Sequence, residues 1–205
     1  MYYQTDYILR MIEMMGDFWR RLFRLMDEQK YEDATRLIDD LLQHHVGLNY
    51  DALMMLTTES LLTALSGEQR AYASEALWLR ADLLDALAQP DEAASARKRA
   101  FALLRSVWQD DTDWAAMRYA QVKRWIDIAG CDDMLWAARF FECAGQYADA
   151  EDALDQELAL GPEAKAWGVA FYRRLLGLPD DALSRGGLPR EEVYAGLKRL
   201  ESDRL

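Results

Sequence analysis

The sequence has few of the residues that interrupt helices or build metal and redox sites. Its 205 residues include 11 glycines, 4 prolines, 2 cysteines and 2 histidines. Alanine, leucine and charged residues dominate while β-branched residues are scarce, which is the composition of a helix-rich chain. A hydrophobic fraction of 51% and a charged fraction of 29% fit a folded globular protein. The length is sufficient to bury a substantial core in one or two domains.

Basic residues are also in deficit. There are 24 Lys and Arg residues against 36 Asp and Glu residues, which gives a net charge of −12. General nucleic-acid binding is disfavoured because it depends on a basic surface, and so is loose association with anionic membranes. The chain does not open with a basic region followed by an apolar run, and no apolar stretch is long enough to span a bilayer. We therefore expect a cytoplasmic protein with no membrane span and no nucleic-acid partner.

Signatures of catalysis and metal binding are missing as well. His44 and His45 are adjacent, so on a helix they would point about 100° apart and could not easily face one ligand. Cys131 and Cys143 have apolar neighbours, which is typical of partly buried thiols. The sequence has no H-E-x-x-H, C-x-x-C, phosphate-loop or dinucleotide-binding pattern. We predict no enzyme activity, no cofactor and no metal site.

The clearest structural pattern is a helical hairpin from Met134 to Pro162. Gly145 lies at its centre, where the freedom of glycine at positive φ suits the end of a helix. Gly161 and Pro162 end the second helix, because proline cannot continue it. The apolar positions that recur at helical spacing on the two sides are Leu135, Ala138, Phe141, Ala144, Ala150, Ala153, Leu154 and Leu158.

The order of small and aromatic residues followed by proline in this hairpin resembles the tetratricopeptide repeat, a helix-turn-helix unit of 34 residues. Ala138 and Ala150 would let the two backbones approach closely, with Phe141 filling the space beside them. The tryptophan position of that family falls near Met134, whereas this chain has Trp136 two residues later. The alternative is an ordinary antiparallel helix pair.

The first residues carry a second resemblance. It rests on Gln4, Asp6, Tyr7, Ile8, Arg10, Ile12 and Glu13. These residues are similar to the start of an uncharacterised bacterial family of tetratricopeptide-like helical proteins. The resemblance implies a helical-repeat fold and a bacterial origin, and it implies no activity.

An internal repeat supports the same fold. Ala34, Ala93 and Ala150 each follow a turn, and they are 59 residues (34 to 93) and 57 residues (93 to 150) apart. Each interval corresponds to three predicted helices rather than to one 34-residue unit. We therefore predict an all-α protein, a tetratricopeptide-like α-solenoid of helical hairpins with about nine or ten helices, and leave open whether each unit has two or three helices.

The helices are predicted from apolar periodicity and from their start and stop signals. We expect a helical array over residues 1–176, a loop over 177–189, which is rich in glycine and proline, and a C-terminal helix within 190–205 that packs on the array. The individual helices are predicted at 7–26, 31–46, 49–65, 68–88, 90–108, 114–129, the hairpin 134–162, 163–176 and 190–200.

The first predicted helix, Tyr7 to Met26, has an unusually wide apolar face. One interpretation is that this face packs entirely into the core. A second is that part of it forms a docking surface or a homodimer interface, where methionine and aromatic residues are common. A third is a role at a membrane surface.

A helical array of this kind suggests a binding scaffold for a protein or peptide. An acidic inner face with one tryptophan favours a basic or amphipathic partner, although the same positions could simply be solvated. Alternative functions are a self-associating structural protein and a small-molecule binder with a pocket among Trp108, Trp114, Trp125, Trp136 and Trp167. The predicted partner-binding residues are Glu75, Trp78, Asp82, Asp85, Asp132, Leu135, Arg139 and Glu142.

Overall fold

The structure, a computed structural model, describes residues 16–108, 110–157 and 161–202. All regular secondary structure within these ranges is α-helical, which confirms the all-α prediction. The helices are α1 (16–27), α2 (Tyr31–His45), α3 (Tyr50–Met55), α4 (Thr58–Ala64), α5 (Gly67–Ala86), α6 (Pro90–Arg105), α7 (Thr112–Ala129), α8 (Met134–Cys143), α9 (Tyr147–Glu157), α10 (Pro162–Leu176), α11 (Asp180–Arg185) and α12 (Arg190–Ser202).

The chain divides into two compact units, unit 1 within residues 1–109 and unit 2 within residues 110–205. Unit 1 contains α1 to α6 and unit 2 contains α7 to α12. None of the helices in the described ranges combines the length and the apolar character that crossing a bilayer requires.

Helix α5 is the centre of unit 1. It packs on α6 and α2, and α4 packs on α6. Residues 71–79 are all buried, including Ser74 and Glu75. A helix surrounded in this way buries all of its sides, which explains why small and apolar residues occur around its whole circumference.

One turn recurs three times, between α1 and α2, between α5 and α6, and between α8 and α9. Its central residue has positive φ each time: 56° at Gln29, 59° at Ala88 and 73° at Gly145. The following amide donates to the carbonyl five residues earlier at 2.8–2.9 Å, the hydrogen bond of a Schellman motif. The repeated alanines that follow these turns are all fully buried: Ala34, Ala93 and Ala150. The repeat that was read from the sequence is therefore a repeat of hairpin turns.

The single helix predicted over 49–65 is two helices in the structure, α3 and α4. Leu56 and Thr57 between them have extended backbones, and the Thr57 side chain accepts a hydrogen bond from the Ser60 amide at 3.2 Å. Threonine at this position caps the second helix instead of continuing the first. The interval from Ala34 to Ala93 therefore contains one helix more than predicted. With α11 as well, the described residues form twelve helices instead of the nine or ten expected.

In unit 2 the predicted hairpin is confirmed: α8 packs on α9, and Ala138 and Ala150 are both fully buried. Helices α9, α10 and α12 then meet around two glycines. A Cβ added to Gly168 would lie 2.7 Å from Leu200 Cδ1, and one added to Gly196 would overlap the ring of Tyr172. Glycine at these positions lets the neighbouring helices approach closely.

Residues 177–189 were predicted to be a loop, but they contain α11, which packs on α12. Pro179 precedes this short helix, and Asp180 and Asp181 lie in its first turn, where acidic residues stabilise a helix. After it, the Gly186 carbonyl accepts a hydrogen bond from the Ala148 amide at 2.9 Å. The segment is thus attached to the start of α9.

Candidate functional site

The predicted partner-binding residues on α5 differ in accessibility. Glu75 and Trp78 are each only 2% exposed, so both side chains lie inside the fold. Asp82 is partly accessible and Asp85 is exposed. Of these four, only the two aspartates can meet a ligand at the surface without a rearrangement.

Both aspartates bind Arg97 of α6. Arg97 Nη2 lies 2.8 Å from Asp82 Oδ1 and 2.5 Å from Asp85 Oδ2, and the guanidinium lies 5.6 Å from the centroid of the Trp78 ring. Burial lowers the pKa of Arg97, but its hydrogen bonds to the two carboxylates outweigh this effect and raise the pKa above its ordinary value. Arg97 therefore partly neutralises the acidic surface that was expected from Glu75, Asp82 and Asp85.

The predicted residues near α8 also divide into exposed and buried members. Asp132 and Arg139 are exposed, whereas Leu135 is buried. Glu142 accepts two hydrogen bonds from Arg174 of α10, both 2.7 Å long, and this bidentate pairing raises the pKa of Arg174. The pair fixes α8 against α10, so Glu142 has a structural role in unit 2.

The tryptophans considered for an aromatic pocket are mostly engaged within their own units. In unit 2, Trp114 and Trp125 are buried, and Trp136 stacks on Phe140 with centroids 5.5 Å apart. Trp167 stacks on Phe171 at 5.2 Å. These contacts stabilise the core of unit 2.

The two histidines contact each other, and one of them contacts α5. Their rings meet edge to face at 4.8 Å, and His45 stacks on Tyr72 of α5 at 4.3 Å. Burial, and after it the adjacent His44, lowers the pKa of His45, while Glu68 opposes the change. Among the residues that the structure describes, no group of three metal-ligating side chains comes together.

The sequence did not indicate a half-buried polar cluster on the inner side of α3. Arg80 of α5 lies over the Tyr50 ring, 4.9 Å from its centroid, and lowers the pKa of nearby Asp39, although burial raises that pKa overall. Within the described ranges, Asp39 Oδ1, the Tyr50 hydroxyl and Arg80 Nε and Nη1 are buried without a hydrogen-bond partner. Because the cluster brings together side chains from α2, α3 and α5, no local sequence motif predicts it.

The segment that contains α3 and α4 also exposes apolar residues. Met55 is 86% exposed, and Leu56 and Leu62 are each exposed by more than a third. We call Met55, Leu56 and Leu62 the α3–α4 corner. The sequence did not indicate this corner, because the break between α3 and α4 falls within the single helix predicted over 49–65.

The N-terminal helix is described only from residue 16, so the 7–15 part of the predicted interface lies outside the described residues. In the described part, Leu22 is buried while Phe23 is exposed, with its ring 5.5 Å from that of Trp19. Part of the wide apolar face therefore enters the core and part of it faces outwards.

A protein-family model matches the chain from residue 2 to residue 204. The chain belongs to DUF6483, a family of unknown function. This membership confirms the expected relation to an uncharacterised family, while the tetratricopeptide-like and bacterial parts of that expectation stay predictions. No curated protein and no solved structure matches this DUF6483 chain.

Proposed function

We propose that this DUF6483 protein is a helical-repeat scaffold that binds a protein or peptide and is built like a tetratricopeptide-type α-solenoid. The observation that carries the proposal is the turn at Gln29, Ala88 and Gly145, which recurs with the same backbone hydrogen bonds. Repeated hairpins of this kind present helix faces to ligands in repeat proteins. The burial of the alanine after each turn adds to the likeness.

The ligand-facing residues are those of the predicted set that reach the surface: Asp82 and Asp85 in unit 1, and Asp132, Arg139 and Glu142 in unit 2. Glu75, Trp78 and Leu135 support these residues from the core. Because acidic groups predominate, the proposed ligand is basic or amphipathic.

Affinity capture from native lysate tests the proposal with two matched variants. The first is Asp85→Lys with Asp132→Lys, one reversal in each unit. The control is Asp27→Lys with Asp152→Lys, which changes the net charge equally at exposed positions. A partner held by the wild type and the control, and lost from the first variant, supports the scaffold; equal capture by all three removes these residues from the binding surface.

Self-association is a second candidate, favoured by the exposed Phe23 beside Trp19 in α1. Light scattering at tens of micromolar, where even a weak dimer is populated, tests it. A dimer that Phe23→Ser converts to a monomer supports this function, and a monomeric wild type excludes it over that range.

A further inference from the structure

Among the described residues of unit 1, the α3–α4 corner contains the most exposed large apolar side chain, Met55 at 86%. Exposed Leu56 and Leu62 follow it along the chain. Exposed apolar side chains that lie together are commonly part of a binding surface. Methionine suits such a surface because its flexible side chain adapts to different apolar partners.

The corner is held in place from inside the fold. Leu53 of α3 and Leu61 of α4 are fully buried and anchor the two helices. Arg99 of α6 donates to the carbonyls of Leu53 at 3.2 Å and of Leu56, so the C-terminal end of α3 has its carbonyls bound by a positive charge. The exposed side chains therefore project from a fixed backbone.

The two helices of the corner carry charge of one sign. The charged residues of α3 and α4 are Asp51 and Glu59, and both are exposed. The nearby guanidinium of Arg99 is directed to backbone carbonyls. A basic partner therefore finds complementary charge beside the apolar surface.

We propose that the α3–α4 corner docks one amphipathic helix with a basic polar face. This inference rests on the proposed binding function and specifies its partner class. The Cα atoms of Met55 and Leu62 are separated by a short extended segment and about one turn of helix, so they are at most about 16 Å apart. A partner helix of about 12 residues, roughly 18 Å long, covers that distance with apolar residues at i, i+3, i+4 and i+7.

The probe is a synthetic 18-residue helix of lysine and leucine in that spacing, with a glutamate-leucine helix of the same pattern as its counterpart. Binding is measured by fluorescence anisotropy at a salt concentration near 0.15 M, where long-range attraction between exposed charges is screened. The test variant is Met55→Ser with Leu62→Ser, which keeps every charge. The control is Met117→Ser with Ile128→Ser, which removes two exposed apolar side chains from α7 instead.

We expect the wild type and the α7 control to bind the lysine-leucine helix equally, the corner variant to bind it at least tenfold more weakly, and none to bind the glutamate-leucine helix. Equal binding by all three proteins would mean attraction by net charge alone and would overturn the proposal. No binding by the wild type would overturn it too. A wild-type dimer that the corner variant abolishes would assign the corner to a second copy instead.

Failure of this inference can be distinguished from failure of the scaffold. If the corner variant still binds the lysine-leucine helix and the Asp85/Asp132 variant does not, the scaffold function is supported. The ligand then binds at Asp85 and Asp132 and not at the corner. If the corner variant alone loses the helix, the partner class is supported and the ligand-facing residues are those of the corner. Circular dichroism of each variant shows whether it retains its helices.

Discussion

Replacement of Gly196 with alanine tests how closely α10 and α12 pack. The new Cβ would overlap the fully buried ring of Tyr172, whose hydroxyl donates to Glu151 Oε1 at 2.5 Å. The Cβ would lie 2.2 Å from Cζ of the ring. Relief of the overlap needs a movement of about 1.3–1.8 Å, since carbon atoms prefer separations of about 3.5–4.0 Å. Overpacking costs about 1–3 kcal/mol, and a weakened hydrogen bond to a charged group costs up to about 3 kcal/mol. The gain in helix propensity returns at most about 1 kcal/mol, so we expect the free energy of unfolding to fall by about 2–4 kcal/mol.

Urea denaturation followed by circular dichroism and tryptophan fluorescence measures this effect against two other glycines. Gly168→Ala meets only the movable methyl ends of Leu154 and Leu200, at 2.7–3.4 Å, so its cost should nearly cancel the propensity gain. Gly16→Ala has no other heavy atom within 4 Å of its added Cβ and should stabilise α1 by about 0.5–1 kcal/mol. If Gly196→Ala unfolds at the same urea concentration as Gly168→Ala, the close packing of Tyr172 on α12 is refuted.

Three further outcomes are expected. Ala88→Gly should stabilise the protein by about 0.5–1 kcal/mol because it relieves a positive φ, and Gly145→Ala should destabilise it by about 1 kcal/mol; urea midpoints that move in the same direction would contradict the shared turn. Burial and His44 lower the folded-state pKa of His45 from 6.5, so the unfolded chain binds the proton more readily and the free energy of unfolding should fall as the pH drops below 6.5. His45→Phe should reduce the slope of that fall. An unchanged slope would show that His45 is not its source. Arg99→Met should lower protection of the α3 amides against hydrogen exchange by about 1–2 kcal/mol, whereas unchanged exchange would show that the α3 carbonyls do not need the guanidinium.

Local sequence signals located most of the helices because those signals act over three or four residues. The turn at Gly145, the proline that begins α10 and the alanines after each turn can all be read without a tertiary structure. Even where Gln29 or Ala88 replaces glycine at the positive φ, the following residues preserve the hairpin pattern.

At two places a start signal for a helix was hidden by the pattern of the residues around it. Thr57 could continue a helix or cap one, and the apolar periodicity over 49–65 favoured continuation. In the structure α3 ends before Thr57, and Arg99 contacts its last carbonyls. Around α11, the glycines predicted a loop although Pro179 and two aspartates begin a helix. Packing on α12 accompanies this one-and-a-half-turn helix, since so short a helix is marginal alone.

The sequence by itself determined the all-α class, the hairpin turns and the absence of a charge pattern for nucleic acid, because these follow from composition and from neighbours along the chain. Only the tertiary structure decided which polar residues reach the surface. Glu75 and Trp78 are on a helix that is enclosed by its neighbours, and Arg97, 15 and 12 residues beyond Asp82 and Asp85, pairs with both. Burial and ion pairing depend on which helices pack together, and helical periodicity carries no information on that choice when small and apolar residues surround a helix.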